Sequence, residues 1–455
     1  MKIVQIQVDQ EQNQPRPIIY ANIATINRLS LPLNQPITLH FGKKNVEVRV
    51  SISTNTGNLI RIPSELAAQL LLPNGIQLHA KFDKEKGLFL GPIFGILIQT
   101  VNPKQPQTPF GKLTEFLKEV ALLARNQGIL FYVFTIQDIY QQTQMVKGWF
   151  YSSNQWEPRI FPLPDVIYNR ISSRNQEKKF KVKITELQKQ IPFFNEHFLN
   201  KWQVYEMLKK TPIQDYMPET NYFKGNQSIK EMIAKYPIIY LKPTNGALGR
   251  GIIKIEHSLD QYIVQYSRIN GASTFYFKNL NKLLKHLYPR LHSEPYLIQE
   301  GLNLIQFNRR PIDFRILVQK NGQGLWSITS MVCRIANDQQ FVSNLARGGT
   351  QANVMETIRS ANPELSKKIK KDHFRKLALL IAKNLEESTS GHFAELGIDL
   401  GLDNKGKIWL LEVNSKPSKT EDTALAGPRP SVNRLIQYVR FLTGFPEEKK
   451  RHRRK

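Results

Sequence analysis

The chain has 455 residues, 41% of them hydrophobic, and a formal net charge of +27. That length suffices for two or three cores, its apolar runs fall short of a membrane span, and its one cysteine, Cys333, excludes an intramolecular disulfide and a thiolate-rich metal site. The charge points to anionic partners, but there is no helix-turn-helix signature, paired zinc-finger spacing or RNA-binding aromatic motif, so nucleic acid is not an expected partner.

Residues 1–100 read as a β-rich accessory domain. "PITLHFG", "NVEVRVSIS", "IQLHAKF" and "GLFLGPIFGILIQ" are short alternating or apolar runs between turn residues. One short helix, "PSELAAQLL", is expected among them, with Pro63 in its first turn. Residues 1–30 carry no signal-peptide apolar core, and the expected location is cytoplasmic. The proline-bearing stretch 101–111 reads as a linker. Over 112–194 the spacing predicts a helix, "KLTEFLKEVALLARNQG", then two buried strands, "ILFYVFTI" and "DVIYNRI", which make a small α/β domain. The pattern over 195–445 is mixed α and β. It has a long insertion near 258–292, one amphipathic helix over 363–388 and a last helix near 430–443. Residues 446–455 read as a basic, solvated tail ending "KKRHRRK".

Within 195–445 several stretches carry chemistry. "KPTNGALGRG", 242–251, joins two strand-like runs through three glycines. Such a loop is either a plain hairpin tip or a flap whose backbone lies against phosphates. Lys242 precedes the glycines and a strand follows them, which is neither the P-loop nor the kinase order. "YLIQEGL" ends a strand at Glu300, where a hinge could meet a base and ribose, or where the strand simply stops. "RRPIDFRILVQKNG" alternates as a strand and puts Asp313 and Arg315 on one face. "FVSNLARGGT" sets Asn344 and Arg347 beside two glycines. The most informative stretch is "ELGIDLGLDNKGKIWLLEVNSKPS". It reads as a hairpin that brings Asp399 close to Glu412 and Asn414. Charges inside apolar strands need partners. These oxygen-only donors suit Mg²⁺ or Mn²⁺ with phosphate oxygens; a salt bridge to Lys416 or Lys242 is the competing reading.

Taken in order, these motifs resemble the ATP-grasp superfamily over about 195–445. The run from "DFR" through "NLARGG" to "GID" and "EVN" is similar to ribosomal-protein glutamate ligases. The whole chain, with "LPDVIYNRI", "NKW" and "LLEVNSKPSK", resembles the YheC/YheD family of endospore coat-associated proteins. The resemblance implies a multi-domain α+β and α/β protein whose C-terminal ATP-grasp fold follows a small pre-grasp domain. It implies an ATP-dependent carboxylate–amine ligase working through an acylphosphate, with ATP and Mg²⁺ (or Mn²⁺) as cofactors. Its substrates would be an amino acid, peptide or protein, an acidic one included, with spore-coat proteins as further partners and a spore layer as a second location. Lys201, Lys242, Gly246, Gly249, Gly251, Glu300, Asp313 and Asn344 would bind nucleotide. Asp399, Glu412 and Asn414 would hold the metal, and Arg315 and Arg347 would steady the transferred phosphoryl group. Two departures stand out. Gly397 replaces an arginine that several ATP-grasp ligases carry, and Lys416 and Ser418 alter a loop that often borders the acceptor. A kinase on the same scaffold and an ATP-binding coat scaffold remain alternatives.

Overall fold

The computed structural model describes residues 3–9, 17–54, 56–246, 250–258, 260–268, 271–337, 349–419 and 427–445. The chain forms two compact units. The first comprises 1–197, 320–325 and 418–455; the second comprises 198–319 and 326–417.

The first unit begins with a closed barrel built from the strands Ile3–Asp9, Ile18–Ala21, Pro36–Phe41, Lys44–Ile52, Leu59–Pro63, Gln77–Asp83 and Gly87–Gly91. Alternation builds its interior: Ile37, Leu39 and Phe41 point inward, as do Val48 and Val50, and Ile60 and Ile62. The expected short helix is Ser64–Leu70, and Pro63 lies immediately before it. The run "GLFLGPIFGILIQ", grouped above with the β-rich domain, divides at Pro92. Gly87–Gly91 closes the barrel, whereas Ile93–Ile98 is buried on both faces and pairs in parallel with Leu130–Thr135 and Val166–Asn169 in a second sheet. Continuous apolar character marks a strand with both sides covered, which alternation cannot reveal. The helix Thr114–Asn126 packs here, and Gly128 takes the left-handed φ of 65° just beyond it. The last helix, Pro430–Leu442, packs on Thr114–Asn126 and so belongs to the first unit, although its sequence follows the second. Lys81 Nζ secures its end by donating to the carbonyls of Thr443 (2.9 Å) and Gly444 (3.2 Å).

The second unit holds two sheets. One is antiparallel throughout, in the order Thr220–Tyr222, Tyr296–Glu300, Ile238–Pro243, Ile253–His257, Tyr262–Arg268, Gly271–Phe277. The helices Asn226–Lys235 and Leu280–Leu291 share its core, with Met232, Leu283 and Leu287 packed beside Ile239, Leu241, Ile253 and Ile255. The long insertion near 258–292 is therefore a regular extension of this sheet. The other sheet runs Thr350–Ala352, Trp326–Ile335, Arg310–Lys320, Glu395–Leu402, Ile408–Asn414. It shares a core with the helices Lys201–Leu208, Val354–Ala361 and Lys371–Ser388.

The single helix expected over 363–388 is two, Pro363–Lys368 and Lys371–Ser388. Between them Ile369 is extended and buried. A continuous helix would set Lys367, Lys368, Lys370 and Lys371 at repelling i,i+3 and i,i+4 spacings. The break separates them, and the Lys370 N–H donates to His373 Nδ1 (3.3 Å) at the new start.

Candidate active site

Ile238–Pro243 alternates: Ile239 and Leu241 are buried in the helix-covered core, Pro243 is buried at the strand's end, and Ile238, Tyr240 and Lys242 fall on the other face. That face borders a cavity of about 520 Å³, lined among others by Lys201, Lys254, Gln299 and Arg334 and by the carboxylates Glu300, Asp313, Asp399 and Glu412. The volume lies within the usual range for a small-molecule site.

The glycine loop is the connection of a hairpin, since Ile238–Pro243 and Ile253–His257 pair antiparallel. Gly251 has φ 75°, and a Cβ there would lie 2.8 Å from Pro243 Cγ, so the position needs glycine. Gly246 also lines the cavity, while Gly249 lies outside the described residues. Lys242 Nζ donates to Gln299 Oε1, whose amide in turn donates to Thr220 Oγ1 (2.9 Å). Burial pushes the Lys242 ammonium down to about 8; the charge of Lys201 adds to this and that of Glu412 opposes it.

Lys201 opens the helix Lys201–Leu208, capped by Asn200, whose side chain accepts from the Gln203 N–H (2.8 Å). A cation in the first turn opposes the helix dipole. What holds it there is a pair of hydrogen bonds from Nζ, to Gly246 O and Glu412 Oε1, each 2.8 Å. It thus ties the base of the glycine loop to a candidate metal carboxylate.

Arg315, Asp399 and Glu412 stand opposite one another on three neighbouring strands. Like charges directly across a sheet repel, so the facing carboxylates of Asp399 and Glu412 require cations close by. Asp399 accepts from Arg315 Nε (2.5 Å) and Nη2 (3.2 Å) and pairs with Arg334 Nη2 (2.9 Å). Burial works to raise its carboxyl, but Arg315 and Arg334 outweigh burial and hold it below the ordinary carboxylate value. Asp313 is held in bidentate fashion by Arg334 Nε and Nη2, both at 2.6 Å. The partners of these acids are therefore Arg315, Arg334 and Lys201, where the sequence suggested Lys416 or Lys242. Lys416 Nζ instead lies 4.5 Å from the centroid of the Phe198 ring.

The remaining expected residues are placed less directly. The Glu300 carboxylate accepts from the Glu219 N–H (3.0 Å), so its side chain braces two strands while the residue lines the cavity. Asn414 faces Gly397 in register and shares the face of Glu412, but it is not among the residues that line the cavity. Gly397 leaves no room for a larger residue: a Cβ there would meet Pro417 Cβ at 2.9 Å and an Arg315 guanidinium nitrogen at 3.5 Å. Asn344 and Arg347 lie outside the described residues.

Sequence reasoning missed Arg334 and Gln299. Arg334 was detectable by the criterion that found Asp399, a charge set in a buried strand, here "MVCRIA".

The donor set fits a hard divalent cation. Asp399 and Glu412 are facing oxygen donors at a cavity edged with cations that suit phosphate. Among the described residues no group of three or more His, Cys, Asp or Glu is placed to hold a metal ion. Two carboxylates would thus share such an ion with phosphate, amide or water oxygens.

These two helix-backed sheets and the lysine- and carboxylate-lined cavity lie within a stretch that matches an ATP-grasp family model. The chain belongs to the YheC/D-like ATP-grasp family, whose sequence model matches residues 190–442. It is 30% identical over 426 residues to the endospore coat-associated protein YheD of Bacillus subtilis (strain 168), covering 90% of this chain and 91% of that one. It is 28% identical over 312 residues to the endospore coat-associated protein YheC of the same organism, covering 67% of this chain and 85% of that one. A solved structure, D-alanyl-alanine synthetase A from Vibrio cholerae O1 biovar eltor str. N16961, shares 13% identity at a TM-score of 0.46, over 78% of this chain and 98% of that one.

Proposed function

We propose that this chain is an ATP-dependent ligase joining a carboxylate to an amine, and that its substrate is an amino acid, a peptide or a protein. The observation that carries this is the cavity in which Lys201 and Lys242 face the paired carboxylates Asp399 and Glu412. Phosphoryl transfer needs placed positive charge and a dry site more than covalent help from the protein.

In this reading Lys242 and Lys201 bind phosphate oxygens, Gly246 and Gly251 let the backbone approach them, and the 300–302 segment meets the base and ribose. Asp399 and Glu412, with Asn414, hold magnesium, which when bound neutralises phosphate charge and fixes its orientation. A substrate carboxylate oxygen attacks the γ-phosphorus and ADP leaves, giving an acylphosphate. The amine nitrogen then attacks the acyl carbon, phosphate leaves, the nitrogen loses a proton and an amide remains. Arg315 stands beside Gly397 and takes the part of the arginine missing there, shared with Arg347. Exclusion of water protects the acylphosphate. The names of the YheC and YheD relatives support a setting in the spore coat, with coat proteins as substrates or partners.

The test is incubation of the full chain with Mg-ATP and pooled amino acids and peptides, beside Glu412→Gln. ADP, free phosphate and a product lighter than its two substrates by one water are expected. A phosphorylated acceptor would make it a kinase instead. Binding without turnover on any pool would move the reading towards a scaffold.

A further inference from the structure

The candidate metal carboxylates are already engaged. Both oxygens of Asp399 accept from arginine, and Glu412 accepts from Lys201. Lys201, Lys242, Arg250, Arg334 and the Arg315 paired with Asp399 stand against four carboxylates at the cavity, while Lys254 is paired with Glu256. A divalent cation arriving alone would meet neutralised oxygens and an excess of positive charge. A polyphosphate reverses that balance, because it offers the cations a better partner.

The three cations that hold the metal carboxylates are not equivalent. Arg334 is buried and clamped in bidentate fashion by Asp313, and Arg315 is buried against Asp399. Lys201 has a flexible stem and a compact ammonium that can turn to a new acceptor. Its Glu412 pair is also the most exposed of these contacts, at 15% and 30% for the two side chains.

Resting on the ATP reading above, we propose that the free protein excludes its own metal, and that Lys201 is the positioning residue that releases Glu412 to the metal when a nucleotide polyphosphate draws its ammonium away. Metal and nucleotide then bind as a coupled pair. By thermodynamic reciprocity each raises the other's affinity by the same factor.

The experiment is Mn²⁺ binding to the full chain, followed by electron paramagnetic resonance, with and without ADP. Manganese held by ADP in protein-free solution is subtracted, and ADP binding without metal is measured separately. Wild type should hold Mn²⁺ weakly alone and about 5–150-fold more tightly with ADP, the ordinary span of ligand coupling. Lys201→Met frees Glu412 and should tighten Mn²⁺ binding in the absence of ADP, while Lys201→Arg keeps a cation on Glu412 and should leave Mn²⁺ binding weak in the absence of ADP. Lys254→Met is the control: Lys254 lines the same cavity but pairs with Glu256 (2.9 Å), so metal affinity should stay at the wild-type value. Glu412→Gln combined with Lys201→Met should abolish the gain. Equal tightening by Lys201→Met and Lys254→Met would show an unspecific charge effect and overturn the assignment. So would wild-type Mn²⁺ binding that is as tight alone as with ADP. Failure of ADP to bind under any condition would overturn the ATP reading itself, and this inference with it.

Discussion

Replacing Arg334 with methionine should take a buried cation from two buried carboxylates at once, although Arg315 stays on Asp399. Arg334 donates to Asp313 through two nitrogens, both at 2.6 Å, and pairs with Asp399 at 2.9 Å, and its side chain is 4% exposed. Removing one partner of a buried ion pair costs about 3–5 kcal/mol, since the remaining charge keeps its desolvation without its attraction. That is a large part of the roughly 5–15 kcal/mol that holds a domain folded. At about 2–4 °C per kcal/mol for a unit of this size, melting should fall by about 6–20 °C. Urea unfolding read by tryptophan fluorescence is a suitable assay, because Trp202, Trp326 and Trp409 lie in the second unit. The deficit should shrink on acidification, as protons neutralise the acids that Arg334 balanced. Asp313→Asn combined with Arg334→Met should lose less than Arg334→Met alone, since a buried charge that Arg334 balanced is gone. A loss below about 1 kcal/mol, the range of exposed pairs, would show that these contacts do not hold the site together.

Other outcomes follow from the same geometry. With Lys242 pushed down to about 8, ADP affinity should be flat at lower pH and fall as pH rises through that value, up to about tenfold per unit. Calorimetry in buffers of different ionisation enthalpy should then show proton uptake on binding near pH 8.5, and affinity unchanged up to pH 9.5 would count against Lys242 as a phosphate ligand. In the first unit, burial pushes Asp165 up from 3.8 to about 6, against a hydrogen bond from the Ile93 N–H and the charges of Lys43 and Lys81. A carboxyl raised on folding contributes stability below its unfolded pKa and loses it as pH climbs to its folded value. Asp165→Asn should therefore stabilise by up to about 3 kcal/mol at pH 8 and by nothing near pH 3, as denaturation at both pH values would reveal. Finally, Gly301→Ala would place Cβ 2.5 Å from Ile238 Cγ2. A cost of about 1–3 kcal/mol and weaker nucleotide binding are expected, and an unperturbed melt would refute the close approach.

Much of this protein was readable from the chain alone. The hairpin that brings Asp399 near Glu412 follows from alternation and a "DNKG" turn, both local properties, but the register shift at Asp399/Leu400 that sets the two directly opposite does not. The glycine loop between strands likewise declares itself by residue type, because only glycine accepts the φ of Gly251 beside Pro243. The division of the β-rich start at Pro92 was hidden, since both halves are apolar strands and only pairing partners distinguish barrel from parallel sheet. The place of Pro430–Leu442 was hidden for the same reason: an amphipathic helix does not name the surface that covers it.

Tertiary structure alone decided the ionic wiring. Nothing local relates Lys201 to Glu412, or Arg334 to Asp399, because each pair joins elements distant in the chain; Arg334 and Asp313 lie on consecutive, neighbouring strands. Sequence established which charges stand in apolar strands and therefore need partners. Strand register and burial determined which partners they have, since an ion pair forms only where two side chains are brought within hydrogen-bond reach and shielded from water.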